Sequence, residues 1–292
     1  MPTSGDETGA VRLIVNADDL GVSEAVNAGI LRAHRGGIVT AASIMACGGA
    51  FDHAARLAAQ HPELDIGVHL TLVAARPLLK RESSLTAAPG RFQPSAGAFF
   101  RRWAAGGIRR EEAAAELAAQ IERVRDAGLS PTHLDSHQHL HALPGLLGVV
   151  RDLARRHRIP FVRAPLERPV FDRPLGGRGL KRLAGALGLA LSWKAAAIVD
   201  GGWDGCAAPL FVGFREGGRL TAERLRAVIG RLRPGRVYEL MCHPGLEPPE
   251  PEIRRWGYRH VEELAALTSP AVRGELDRRG VRLCRFADLA AR

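Results

Sequence analysis

The chain has 292 residues, 46% of them hydrophobic, and carries 41 Lys and Arg against 31 Asp and Glu, a formal net charge of +10. That length and apolar content suit one globular domain with a sizeable core. Aromatics at 5% and the lack of a basic block interleaved with them argue against a nucleic-acid surface, while attraction to anionic substrates or to an anionic membrane stays open.

In chain order, Val11, Leu13, Ile14 and Val15 predict a buried strand that runs into Asn16-Ala17-Asp18-Asp19-Leu20-Gly21. Ser23 caps a helix to about Arg35, followed by a strand over Val39 to Ala46 and a helix over Phe51 to Gln60. Asp65 to Leu72 reads as a third strand, Ile66, Val68, Leu70 and Leu72 alternating with Asp65, Gly67, His69 and Thr71. Arg76 to Gly107 holds Pro77, Pro89, Gly90, Pro94 and Gly106-Gly107, and is expected to be an irregular excursion over the site.

A helix over Arg110 to Ala127 stops at Gly128, and Pro131 to Ser136 is a fourth strand. Leu146 to Arg156 is helical and Ile159 to Arg163 a short strand. A second excursion, 166–205, surrounds the apolar stretch Leu183 to Trp193, expected as a buried helix, with a helix lying on a membrane interface as the other reading. Leu210 to Phe214, Val237 to Cys242 and Val281 to Phe286 complete the strands, with helices over Ala222 to Leu232 and Val261 to Leu267. Strands alternating with helices and no clear linker predict an α/β chain, a single distorted TIM-like (β/α) barrel spanning 1–292.

Cys47, Cys206, Cys242 and Cys284 are widely spaced, which suits a reducing compartment rather than a zinc knuckle or disulfide framework. Met1 to Ala10 lacks the pattern of a secretory leader, and nowhere is there the run of about 18 apolar residues that a spanning helix needs. The expected location is the cytoplasm, with the inner face of the membrane as a peripheral option.

Four places carry candidate chemistry. Two adjacent carboxylates, Asp18 and Asp19, repel one another and call for a cation or a shared proton. Thr132 to His141 places His133, Asp135, His137, His139 and His141 on one parity, so an extended chain would face them to one side. His69 and His243 each stand at a strand exit. In α/β barrels reactive groups gather at the C-terminal ends of strands, so these positions together predict a mononuclear metal site of one carboxylate and two imidazoles, with an open position for water. Cys242 beside His243 does not make a nucleophilic pair, because neighbours in a strand point to opposite faces.

Asn16 to Gly21, Gly67-Val68-His69-Leu70, Thr132 to His141 and Glu239 to Pro244, in register over nearly the whole chain, resemble the YdjC-like carbohydrate deacetylase family of the ChbG and HpnK type. The resemblance implies a barrel akin to polysaccharide deacetylases, often a homodimer, that hydrolyses N-acetyl groups of amino sugars with one divalent ion, Zn2+ or Mg2+. Carried over by motif, Asp19, His69 and His137 are the ligands, Asp18 the general base and His243 the general acid. Arg163, His139 and His141 are candidate substrate contacts. Leu20 stands where the family often has Phe, and Gln138 where a further His is common. The implied substrates are chitin-type oligosaccharides or a hopanoid-linked sugar, and the basic charge with the Leu183 to Trp193 stretch tilts towards the lipid-linked one. A metal phosphohydrolase, its phosphate held by arginines, and a non-catalytic sugar-binding protein are the competing readings.

Overall fold

The computed structural model describes residues 9–79, 82–167, 177–200 and 209–290. Its elements in chain order are β1 (Val11–Leu20), α1 (Glu24–Gly36), β2 (Ala41–Ile44), α2 (Phe51–Gln60), β3 (Asp65–Leu70), β4 (Thr86–Ala88), β5 (Arg91–Phe92), α3 (Ala96–Ala104), α4 (Arg110–Asp126) and β6 (His133–Ser136). After a 3-10 segment over His137–Ala142 come α5 (Leu146–Arg156), β7 (Phe161–Val162), α6 (Gly177–Val199), β8 (Leu210–Val212), α7 (Ala222–Ile229) and β9 (Val237–Cys242). The chain closes with α8 (Pro251–Arg254), α9 (His260–Leu267), α10 (Pro270–Arg278), β10 (Val281–Leu283) and α11 (Ala287–Ala290).

Among the described residues eight strands form one parallel sheet in the order β7-β6-β3-β2-β1-β9-β8, with β10 beside the start of β1. One edge of β1 is shared: β10 pairs with Val11 to Leu13 and β2 takes over from Asn16. The sheet is strongly curled. Arg163, just past β7, bonds Glu239 on β9 at 2.6 Å, although five strand spacings, about 24 Å in a flat sheet, separate those strands. This is the distorted, open (β/α) barrel expected from the alternation of elements.

Alternation along each strand sorts the side chains. Leu13, Val15 and Ala17 of β1, Ile66, Val68 and Leu70 of β3, and Leu240 and Cys242 of β9 face outward into the main apolar core, which the helices cover with residues such as Val26, Ile30, Leu117 and Ile121. Inside the curl, Ile14, Ala41, Phe161 and Phe286 plug the N-terminal end of the barrel. Above that plug the lining turns polar, and there the functional residues gather.

The first excursion is more ordered than its Pro and Gly content suggests. It contains the β4–β5 hairpin and α3, and it buries Leu85, Phe92 and Phe99. Glu116 of α4 accepts the backbone N–H groups of Leu78 (2.9 Å) and Leu79 (3.1 Å), and Glu112 accepts that of Ser84 at 2.7 Å. Carboxylates on one helix thus satisfy loop donors that would otherwise be buried without partners. Of the second excursion, 168–176 and 201–208 lie outside the described residues. The helix expected to be buried there is buried along one side only: Leu183, Ala186, Trp193 and Ala196 pack inward, while Leu187, Leu191, Ile198 and Val199 are exposed.

Candidate metal centre

Adjacent residues in a regular strand point to opposite faces, so Asp18 and Asp19 could not share a site without a break. The break is present. Asp19 adopts a left-handed conformation with φ 66°, and the β1–β2 register slips between Ala17 and Leu20. Asp tolerates this region better than most side chains. The slip leaves Asp18 on the inward parity of Asn16 and turns Asp19 towards the same side.

Asp19 meets two histidines. Its Oδ1 lies 2.9 Å from His137 Nδ1 and 3.2 Å from His69 Nε2. All three side chains are buried, and one candidate ligand atom from each falls within 4.8 Å of the others. Asp19 Oδ2 and His137 Nε2 are buried without hydrogen-bond partners among the described residues. A carboxylate and two imidazoles this close together, two of their polar atoms unsatisfied, form a donor set suited to a divalent cation. Without the cation, protons fill the gap. Burial opposes ionisation of Asp19, yet the charges and hydrogen bonds of His137 and His69 hold its carboxyl well below the usual range. Burial likewise opposes charge on His69, but Asp135 and Asp19 outweigh it and raise the imidazole to about 10.

His69 is oriented from behind by Asp135, whose Oδ1 lies 2.8 Å from Nδ1. A carboxylate on the far nitrogen is the usual means of fixing the ring and tautomer of a metal-binding histidine. Asp18, His69 and Asp135 also lie close enough to hold an ion. Arg163 already supplies the cation there. Its Nη1 and Nη2 donate to the two oxygens of Asp18 at 2.6 and 2.7 Å, Nη2 also reaches Asp135 Oδ2 at 2.7 Å, and Nε donates to Glu239 Oε1 at 2.6 Å. The planar guanidinium fork suits such a bidentate grip. Burial works against the charge on Arg163, but Asp135, Asp18 and Glu239 hold its pKa well above the usual value. Arg163 is 1% exposed, so the residue read from sequence as a substrate contact is an internal counter-ion instead. Burial pushes Glu239 up to about 7, and its Oε2 has no partner among the described residues.

The shared parity of the histidine run ends at β6. His133 and Asp135 face inward, His133 Nε2–H donating to Asn16 Oδ1 (3.0 Å), with Ser43 Oγ 3.2 Å away and the ring stacked on Phe286. After Ser136 the chain leaves extended geometry: Gln138 and His139 have φ of 56° and 54°. His137 therefore turns to Asp19, while His139 and His141 go elsewhere, and the single face expected for all five residues does not form. His141 is buried, with Nδ1 2.6 Å from Ser136 Oγ and Nε2 3.0 Å from the Arg163 carbonyl, so both ring nitrogens are spent inside the protein. His139 sits among Phe211, Phe214 and His141, its Nδ1 without a partner among the described residues. Gln138, in place of a further histidine, accepts the Ala96 backbone N–H at 2.8 Å and ties the segment to α3.

His243 follows β9 on the opposite parity from Cys242, whose Sγ bonds the Asn16 carbonyl at 3.3 Å. Its own backbone is gripped: the N–H donates to Glu263 Oε2 at 2.6 Å and the carbonyl lies 2.9 Å from His260 Nδ1. The ring is buried, its Nδ1 without a partner among the described residues, and burial pushes it down to about 4 against the pull of Asp19 and Asp18. Glu239 is an acid inside a strand at an inward position, a signal that parity alone could have raised. Asp135 belongs to the polar run expected from parity, but it stands behind His69.

The chain matches the family described as YdjC-like protein over residues 12–278. A carbohydrate deacetylase of Geobacillus stearothermophilus is 37% identical over 276 residues, covering 94% of this chain and 96% of its own. A human carbohydrate deacetylase is 33% identical, covering 96% of this chain and 91% of its own. A chitooligosaccharide deacetylase of Klebsiella pneumoniae strain 342 is 32% identical, with 95% and 98% covered. Among solved structures, an Enterococcus faecalis V583 protein with a proposed role in cellobiose-phosphate cleavage superposes with a TM-score of 0.75 at 27% identity, over 96% of this chain and 99% of that one.

Proposed function

The chain belongs to the YdjC-like family, and on that premise we propose that it removes the N-acetyl group of an acetamido sugar with the help of one divalent ion. The observation that carries this reading is the convergence of Asp19, His69 and His137 on one point, with Asp18 clamped beside them and His243 at the adjoining strand end. Asp19, His69 and His137 would hold the ion, which supplies polarisation of the acetyl carbonyl and a lowered pKa for water.

The protein groups divide the remaining work. Asp18 Oδ2 takes one bond from Arg163 and Oδ1 takes bonds from Arg163 and Asn16, leaving a lone pair on Oδ2 to accept the proton of the attacking water. Arg163 holds that carboxylate in place and keeps it from turning towards the ion. Asp135 fixes His69. His243 is neutral at pH 7 in this setting, so the proton it passes to the leaving nitrogen is acquired during the cycle, and the proton released from water is the available source.

The phosphohydrolase reading finds no support at Arg163, which is committed to three carboxylates. The lipid-linked form of the substrate is supported by α6, where Leu187, Leu191, Ile198 and Val199 are exposed on a helix without an acidic residue. Acetate and phosphate release should be measured from chitin-type oligosaccharides, a lipid-linked N-acetylglucosamine and sugar phosphates. The expected result is metal-dependent acetate release and no phosphate. Phosphate release without acetate would overturn the proposal.

A further inference from the structure

Beside the metal centre two aromatic rings have no role in the chemistry above. Trp256 and Tyr258 lie on the short segment between α8 and α9, both half-buried. The Trp256 ring sits 4.8 Å from that of His137, inclined at 43°, and the Tyr258 ring 4.4 Å from that of His243, inclined at 47°. The two rings are 6.0 Å apart and inclined at 65°, so they meet as two walls of a corner rather than as one plane. One therefore flanks a proposed ion ligand and the other the proposed proton donor, along one side of the site.

The segment is held firmly. Trp256 N–H donates to the Ile253 carbonyl at 3.0 Å, Gly257 N–H to that of Arg254 at 3.0 Å, and Arg259 N–H to that of Gly218 at 2.8 Å. Glu250, at the start of α8, accepts from Ser23 Oγ at 2.9 Å. Gly257 takes φ 71°, which only glycine adopts readily. Gly218 takes φ 73° and lies so close under the Tyr258 ring that any side chain there would strike it. A rim residue fixed this way loses little freedom when a ligand arrives.

We propose that Trp256 and Tyr258 form an aromatic ledge that receives the C–H face of a pyranose ring, placing its acetamido group towards Asp19, His69 and His137. The proposal rests on the deacetylase reading and deepens it, because it selects cyclic sugars over open-chain acetamides. The chemistry follows from the surfaces. A pyranose presents polar hydroxyl edges and an apolar C–H face, and the flat face of the Trp256 indole, bordered by the steeply inclined Tyr258 ring and beside a few convergent polar groups, matches both.

The test compares the full-length Zn2+-loaded protein with Trp256→Ala, Trp256→Phe and Tyr258→Leu, the last an independent probe of the ledge should Trp256→Ala fold poorly. Acetate release from di-N-acetylchitobiose, binding of the same disaccharide by calorimetry and Zn2+ affinity are measured for each. The expected result for Trp256→Ala is a KM and dissociation constant raised about tenfold, with kcat and Zn2+ affinity near wild type and most of the loss restored in Trp256→Phe. Unchanged KM and disaccharide affinity in an active enzyme would overturn the ledge while leaving the deacetylase reading intact. A loss of Zn2+ affinity and kcat at constant KM would also overturn it, making Trp256 a prop for His137. Wild-type protein that binds the disaccharide through Trp256 but releases no acetate would remove the deacetylase reading and keep the ledge. Absence of both binding and release with the disaccharide would overturn the ledge, and the deacetylase reading falls with it only if lipid-linked N-acetylglucosamine also yields no acetate.

Discussion

Two carboxylates at consecutive positions meet different partners, and one backbone angle makes that possible. The left-handed turn at Asp19 sends it to His69 and His137, while Asp18 stays on the strand parity and meets Arg163. The same reasoning isolates Asp135, which touches no open part of the site yet fixes His69 and shares Arg163 with Asp18. Asp135→Asn should weaken metal affinity about 10–100-fold, as loss of a partner behind a metal-binding histidine does. Equilibrium dialysis of the variant checks this, and affinity equal to wild type would mean that His69 needs no orienting carboxylate. The ligand candidates could be read from sequence because Asp, His and strand exits are local signals. Arg163 could not, since its role depends on a curl that brings Glu239 within 2.6 Å. His141 could not either, because the turn at Gln138 and His139 cancels the parity that placed it with His137.

At the level of elements, the helices keep the loops after the strands in position. Gly29 of α1 faces the backbone of Gly245, so closely that a methyl group there would collide with it, and Leu246 N–H donates to the Ala25 carbonyl at 3.0 Å. Gly29→Ala should therefore displace the segment carrying His243 and cost about 1–3 kcal/mol, as overpacking does. The expected outcome is a melting temperature lower by several degrees together with a reduced kcat. Differential scanning calorimetry and acetate assays check the two effects, and an unchanged kcat would show that α1 does not position His243. Apolar periodicity revealed most of the helices and strands, because each buries one face in the outer core. It missed the order in the first excursion, which comes from Glu112 and Glu116 on a distant helix satisfying the loop's own N–H groups. It also misjudged α6, whose apolar content exceeds the surface that the rest of the fold covers.

Taken whole, the barrel has an apolar outer layer, an aromatic plug at its base and a buried ionic interior, so its stability should depend on pH in a definite way. Burial pushes His133 and His141 each down to about 4, whereas the unfolded chain takes up protons near 6.5. Between those values the unfolded state binds more protons, so stability falls as pH falls from about 6.5 towards 4. Glu239, pushed up to about 7, opposes this with a single proton. His69 acts in the other direction: raised to about 10 in the metal-free protein, it contributes stability fully present below 6.5 and lost as pH rises towards 10. The chelated protein should thus melt highest near neutral pH, and metal, by replacing the proton on His69, should flatten the alkaline decline. Melting curves with and without chelator from pH 4.5 to 9 check this, and identical alkaline limbs would contradict it.

The central claim, one aspartate for the ion and its neighbour for the water proton, is tested by measuring metal content and acetate release side by side in Asp18→Asn and Asp19→Ala. Asp18→Asn should retain about one equivalent of metal while kcat falls about 10²–10⁴-fold, and Asp19→Ala should lose the metal and the activity together. Metal retained at full affinity by Asp19→Ala, or near-normal turnover in Asp18→Asn, would contradict the account.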